Sequence, residues 1–127
     1  MSKNILVVDD NHPIRKLLET AFTRAGYTVA LAGSGEEALE ILKNEPINVM
    51  FLDIQLPGMN GIELCIQIRK ENSIACIYAM TGNSSLFNLA NCREAGFDDF
   101  FPKPFSIATF LKTARDAFEK LEKRKKK

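Results

Sequence analysis

Asn4-Ile5-Leu6-Val7-Val8-Asp9-Asp10-Asn11-His12-Pro13-Ile14 decides the fold class. A four-residue apolar run, of strand length with Asn4, ends on two adjacent acids, and a proline suited to a helix's first turn then opens a segment of helical periodicity. From Pro13 onward Ile14, Leu17, Leu18, Ala21 and Phe22 recur at spacings of three and four, the buried face of a helix. Gly26 is placed to end it as the C′ residue. The same strand-then-helix unit recurs along the chain. Strands are expected at 4–8, 27–31, 48–52, 74–80 and 98–101, several apolar throughout, as parallel strands covered on both faces are.

The second helix follows Ser34, with Glu37 three residues on as a capping box, and carries Ala38, Leu39, Ile41 and Leu42. The third follows Asn60-Gly61 with Ile62, Cys65, Ile66 and Arg69; the fourth follows Ser84 or Ser85 and stops at Gly96. The fifth has Ile107, Phe110, Leu111, Ala114, Ala117, Phe118 and Leu121 on its stripe. Five βα units with right-handed crossovers build a doubly wound α/β sheet of strand order 2-1-3-4-5, the flavodoxin-like arrangement, whereas a closed barrel needs eight units. Pro102 lacks a backbone donor, which places the fifth strand at an edge.

The chain has 127 residues, 46% hydrophobic and 26% charged, with a formal net charge of +1, the composition of one globular domain. Residues 120–127 carry six basic and one acidic residue, leaving −4 on the other 119. A mildly acidic body with a short basic tail, read as a solvated, frayed helix end, is not the footprint of a nucleic-acid-binding domain. No apolar run approaches the ~20 residues of a membrane span, and no signal peptide is read at the start. Cys65, Cys76 and Cys92 are odd in number and lack Cys-x-x-Cys spacing, so neither a disulfide framework nor a zinc site is expected. The expected compartment is the reducing cytoplasm.

In open α/β sheets ligands bind beyond the carboxyl ends of the strands. There stand Asp9 and Asp10 after the first strand, Asp53 after the third, Thr81 after the fourth and Lys103 after the fifth. Because the first and third strands are neighbours, three carboxylates converge, and at 4 Å a like-charged pair costs about 4 kcal/mol at an effective dielectric near 20. A cation must compensate. Mg2+ fits, since it is held by one or two carboxylates while keeping waters and a phosphate oxygen; zinc does not, with His12 the single histidine. Carboxylates, metal, the Thr81 hydroxyl and the Lys103 ammonium around one point can receive a phosphoryl group, Asp53 attacking.

Five ordered motifs carry a family resemblance over essentially the whole chain: Ile5-Leu6-Val7-Val8-Asp9-Asp10; Phe51-Leu52-Asp53-Ile54-Gln55-Leu56-Pro57-Gly58-Met59-Asn60-Gly61; Met80-Thr81-Gly82; Ala95-Gly96-Phe97-Asp98-Asp99-Phe100; and Lys103-Pro104-Phe105. They resemble the receiver domain of two-component response regulators, stand-alone and chemotaxis-regulator-like. The resemblance implies a phosphoaspartate at Asp53 and Mg2+ (or Mn2+) served by Asp10 directly, by Asp9 largely through water, by Asp53, and by the main-chain carbonyl of Gln55. It implies that Lys103 pairs with Asp53 at rest, that Thr81 and Phe100 are the switch residues, and that Lys103-Pro104 is a cis peptide. Gln55 and Asn83 stand where the resemblance places tuning of the phosphoaspartate's lifetime. Gly58 and Gly61 give the loop after Asp53 its freedom, positive φ included.

The expected boundaries are a receiver domain over 1–121 and a basic tail over 122–127, with no room for an output domain. Phosphorylation by a histidine kinase or a histidine phosphotransfer protein then acts through a partner protein on the face of the fourth helix, fifth strand and fifth helix, with Phe87, Phe101 and Lys112 as anchors. The expected state is a monomer or a phosphorylation-dependent dimer, acting neither on nucleic acid nor at a membrane. The module is a signalling protein rather than an enzyme, catalysing only its own phosphotransfer and autodephosphorylation. A phosphatase of the haloacid-dehalogenase pattern needs a second Asp where Gln55 stands, and a flavin carrier would have its phosphate repelled by Asp9-Asp10.

Overall fold

The computed structural model describes residues 3–82, 89–103 and 106–125. Ten elements alternate: β1 (Asn4–Val8), α1 (His12–Arg24), β2 (Thr28–Ala32), α2 (Gly35–Asn44), β3 (Val49–Asp53), α3 (Gly61–Glu71), β4 (Cys76–Thr81), α4 (Leu89–Ala95), β5 (Asp99–Pro102) and α5 (Ile107–Lys125). The strands form one five-stranded sheet in the order β2-β1-β3-β4-β5, every pair parallel, as the five βα units predict. β5 lies at an edge, where the missing donor of Pro102 is harmless.

Neighbouring residues of each strand serve opposite faces. Ile5 and Val7 join Val49, Phe51, Tyr78 and Met80 against Leu18 and Phe22 of α1 and Phe110, Ala114, Ala117 and Leu121 of α5. Leu6 and Val8 join Met50, Leu52, Ile77 and Ala79 against Ala38 of α2, Leu64, Cys65 and Ile68 of α3, and Cys92 and Ala95 of α4. Phe51 anchors the first layer, its ring 5.2 Å from Tyr78 and 5.1 Å from Phe110, close to the preferred separation of aromatic pairs. The three cysteines are buried and free.

Several local expectations shift. The third and fourth strands take in Asp53 and Thr81 as their last residues, because the ladder continues to Asp53 opposite Met80 and Thr81 opposite Pro102. Ile74 lies ahead of β4 and is exposed. Leu17 and Ile66, placed on buried helix stripes by spacing, are also exposed; the core stripe of α1 runs through Leu18 and Phe22, and Leu17 turns to its rim. α5 continues past Leu121 to Lys125, so the basic stretch is helical at its start. Ser34 does cap α2, its Oγ accepting from Glu37 N–H at 3.1 Å, but the Glu37 carboxylate takes the N–H of Gly33 at 2.6 Å rather than closing the box. A complete capping box stands instead at α3, between Asn60 and Glu63. Gly26, at φ 97, ends α1 as expected.

Candidate functional site

Parallel register builds the site. Val8 lies opposite Leu52, so the next residues on the two strands, Asp9 and Asp53, emerge side by side at the carboxyl end of the sheet. Asp9 is fully buried, and Asp53 is 4% exposed. Asp10, one residue on, is exposed. Each of the three offers a carboxylate oxygen, all within 4.8 Å of one another. Lys103 closes the group from just beyond the end of β5, its Nζ donating to Asp9 Oδ2 at 2.8 Å and to Asp53 Oδ2 at 3.2 Å. The resemblance implies a Lys103–Asp53 pair; the ammonium in fact bridges both acids and sits closer to Asp9.

Backbone donors hold the remaining oxygens. Asp9 Oδ1 accepts from the N–H of Asn11 at 2.9 Å, and Asp53 Oδ1 from that of Gln55 at 3.0 Å. Asn11 caps α1 through its own side chain, so the turn holding Asp9 and Asp10 passes directly into the helix. Gly61 starts α3 against the back of Asp53, where an added Cβ would lie 2.3 Å from the Asp53 carbonyl oxygen and 2.7 Å from Ile54 Cα. Close approach, not positive φ, is why glycine stands there. Gly58, at φ 71, takes the left-handed turn of the intervening loop.

Burial, and then the charge of Asp9, raise the Asp53 carboxyl from 3.8 to about 6, against the opposing pull of Lys103 and the Gln55 N–H. For Lys103, burial alone would lower the ammonium, but its hydrogen bond to Asp9 and the charge of Asp53 outweigh this and move it upward. Among the described residues of the pocket, three carboxylates face this one ammonium, a surplus of two negative charges. Hard oxygen donors with that surplus fit a divalent cation of the Mg2+ type. Thr81, at the end of β4, is 1% exposed and has a polar partner. Phe100 is partly buried against the α2–α3–α4 side of the core.

A model of the response regulator receiver domain matches residues 5–115. The chain belongs to that family. Receiver domains of two-component response regulators are signalling modules phosphorylated on an aspartate, and they typically bind Mg2+ at an acidic pocket. This receiver domain is 36% identical over 115 residues to response regulator MprA of Mycobacterium ulcerans, covering 91% of this chain and 50% of the relative. It is 42% identical over 106 residues to the uncharacterized transcriptional regulatory protein YrkP of Bacillus subtilis, covering 84% and 45%. The chain thus spans about half the length of these curated relatives. Among solved structures, it matches the CheY-like response regulator receiver domain protein of Methanospirillum hungatei with a TM-score of 0.92 and 31% identity, covering 98% of this chain and 99% of that one. It matches chemotaxis protein CheY4 of Vibrio cholerae at 0.86 and 28%, covering 92% and 99%.

Of the residues singled out from sequence, the fold gathers Asp9, Asp10, Asp53 and Lys103 at one point. Gln55 contributes a backbone donor to Asp53 while its side chain is exposed. Phe101 is no free anchor: its ring lies 6.0 Å from Tyr78 and 5.2 Å from Phe110, packed on the core. Lys112 is exposed. Asn83, Ser84, Ser85, Phe87 and Pro104 lie outside the described residues. The sequence reading missed Arg15, whose Nη1 donates to the Asp9 carbonyl at 2.6 Å. The signal available was its place one turn into α1, over the helix's own start. No helix among the described residues is long and apolar enough to cross a membrane.

Proposed function

We propose that Asp53 is the phosphoacceptor, that Asp9, Asp10, Asp53 and the Gln55 main-chain carbonyl hold Mg2+ or Mn2+, and that phosphorylation switches binding to a partner protein. The observation that carries this reading is the Asp9–Asp53 pair, side by side and bridged by Lys103. A carboxylate oxygen of Asp53 attacks the phosphorus of a phosphohistidine on a histidine kinase or phosphotransfer protein. The P–N bond breaks, and the leaving imidazole takes a proton from solvent. A bound divalent ion supplies neutralisation of the phosphoryl oxygens. At neutral pH a carboxyl titrating at about 6 is mostly ionised and able to attack.

Once Asp53 is phosphorylated its charge moves outward onto the phosphoryl group, and Lys103 follows from the carboxylate to the phosphate. Thr81 turns its hydroxyl to the same group and Phe100 moves inward, a population shift between two conformations that alters the face of α4, β5 and α5. Hydrolysis of the acyl phosphate by water resets the module, at a rate that Gln55 and Asn83 tune. The setting that suits this chemistry is the cytoplasm, with the chain a monomer or a phosphorylation-dependent dimer.

Intact mass after incubation with a small acyl-phosphate donor tests the reading. A phosphoryl adduct that requires Mg2+ and is lost in Asp53→Asn is expected. An adduct that persists in Asp53→Asn, or none in the native chain with Mg2+, overturns it.

A further inference from the structure

The guanidinium of Arg15 lies against the β1–α1 turn of the acidic pocket. Nη1 donates to the Asp9 carbonyl at 2.6 Å, and Nη2 lies 3.4 Å from Nδ1 of His12. On its other side it occupies the space beside Gly33, where an added Cβ would sit 3.2 Å from Nη1 and 3.9 Å from Glu37 Oε1. Glu37 in turn accepts the Gly33 N–H at 2.6 Å, and the Ala32 carbonyl accepts the Asp9 N–H at 3.1 Å. The β1–α1 turn that carries Asp9 and Asp10 is thereby clasped by one half-buried side chain that packs beside the β2–α2 turn.

We infer that Arg15 is a positioning residue for the divalent cation, gripping the Asp9 carbonyl so that Asp9 and Asp10 present their carboxylates to one point, and that residue 33 is glycine to admit it. This rests on reading Asp9, Asp10 and Asp53 as the cation site. Two effects of opposite sign separate the inference from plain electrostatics. As a charge, Arg15 repels a cation, so its loss would tighten binding. As a grip, it orients ligands, and its loss weakens binding, as removal of outer-shell partners of metal ligands generally does. Lysine keeps the charge but lacks the planar fork that spans a carbonyl and an imidazole at once.

The test is Mg2+ titration followed by amide NMR on the native chain, Arg15→Met, Arg15→Lys, Gly33→Ala and the Gly33→Ala/Arg15→Met double variant, with hydrogen exchange at the Asn11 amide measured without metal. Both Arg15 variants are expected to weaken Mg2+ on the order of tenfold. Gly33→Ala should weaken it less, and the double variant should be no worse than Arg15→Met. In metal-free Arg15→Met the Asn11 amide, which donates to Asp9 Oδ1, should exchange faster. Unchanged or tighter Mg2+ binding in Arg15→Met, native affinity in Arg15→Lys, or additive losses in the double variant overturn the inference. Should the native chain itself not bind Mg2+, the reading of the site falls, and unchanged Asn11 exchange would then overturn the positioning role as well.

Discussion

Two cation–carboxylate clusters stand at opposite ends of the same sheet. At the amino end, Arg69 of α3 meets Asp98 at 3.0 Å, and both side chains also have fixed backbone partners. Its Nε donates to the Gly96 carbonyl at 2.9 Å and its Nη1 to that of Ala75 at 2.7 Å, while Asp98 Oδ2 also takes the Ile77 N–H at 2.8 Å. One cation faces one carboxylate, and the cluster is complete within the fold. At the carboxyl end three carboxylates face Lys103, and Asp53 is raised to about 6. The difference teaches that a charged cluster is functional where its charges do not balance. Arg69 staples α3 to the turns before β4 and β5, whereas the acidic pocket is left with anions that only an outside cation and a phosphoryl group can use.

The comparison can be broken most forcefully at Arg69. Arg69→Met takes the cation from Asp98 and a donor from the carbonyls of Asn72, Ser73, Ala75 and Gly96, and is expected to cost about 4 kcal/mol, read by denaturant unfolding, with Mg2+ affinity unchanged. A loss of Mg2+ binding there would show that the two clusters are not separate devices.

A pH series sharpens the other side. The fold holds the proton of Asp53 more tightly than an unfolded carboxyl does, about 6 against 3.8, so between those values the folded chain binds more protons. Stability therefore falls as pH rises through that window, by at most about 3 kcal/mol, with the loss complete above it. Asp53→Asn should flatten the curve; an unaltered curve would assign the strain to another group.

The smallest expected effect is that of Lys103→Met, which leaves Asp9 and Asp53 without their ammonium. At neutral pH without metal it should lose about 2 kcal/mol, and saturating Mg2+ should restore most of it through linkage, since one hundred times Kd is worth about 2.7 kcal/mol. Unfolding midpoints with and without Mg2+ measure this. The same addition should do nothing for Arg69→Met, and a rescue there would erase the contrast between the clusters.

Much of this was legible in the chain. Short apolar runs mark the strands and period-3.6 patterning the helices, because parallel strands hide both faces and each helix one, and the acids, hydroxyl and lysine at successive strand ends converge because ligands collect at that end of such sheets. What escaped are side chains whose surroundings only the packed fold settles. Leu17 and Ile66 have core spacing yet lie at the rim, since periodicity sets a stripe's direction and not its width. Arg69 reads as an ordinary helix residue, its role visible only when Gly96 and Asp98, nearly thirty positions away, come beside it. Glu37 reads as half of a capping box, but Gly33 offers the nearer donor.

By itself, then, the sequence determined the order of elements, the doubly wound sheet and the identity of the acids at its carboxyl end, because those follow from local periodicity and from the handedness of parallel crossovers. Tertiary structure alone decided that Lys103 bridges Asp9 and Asp53, that Gly61 must lie against the Asp53 backbone, and that Arg15 grips the Asp9 carbonyl. Such contacts depend on distances of a few tenths of an ångström. Those are set by the packing of the whole sheet against its helices, and no local pattern encodes them.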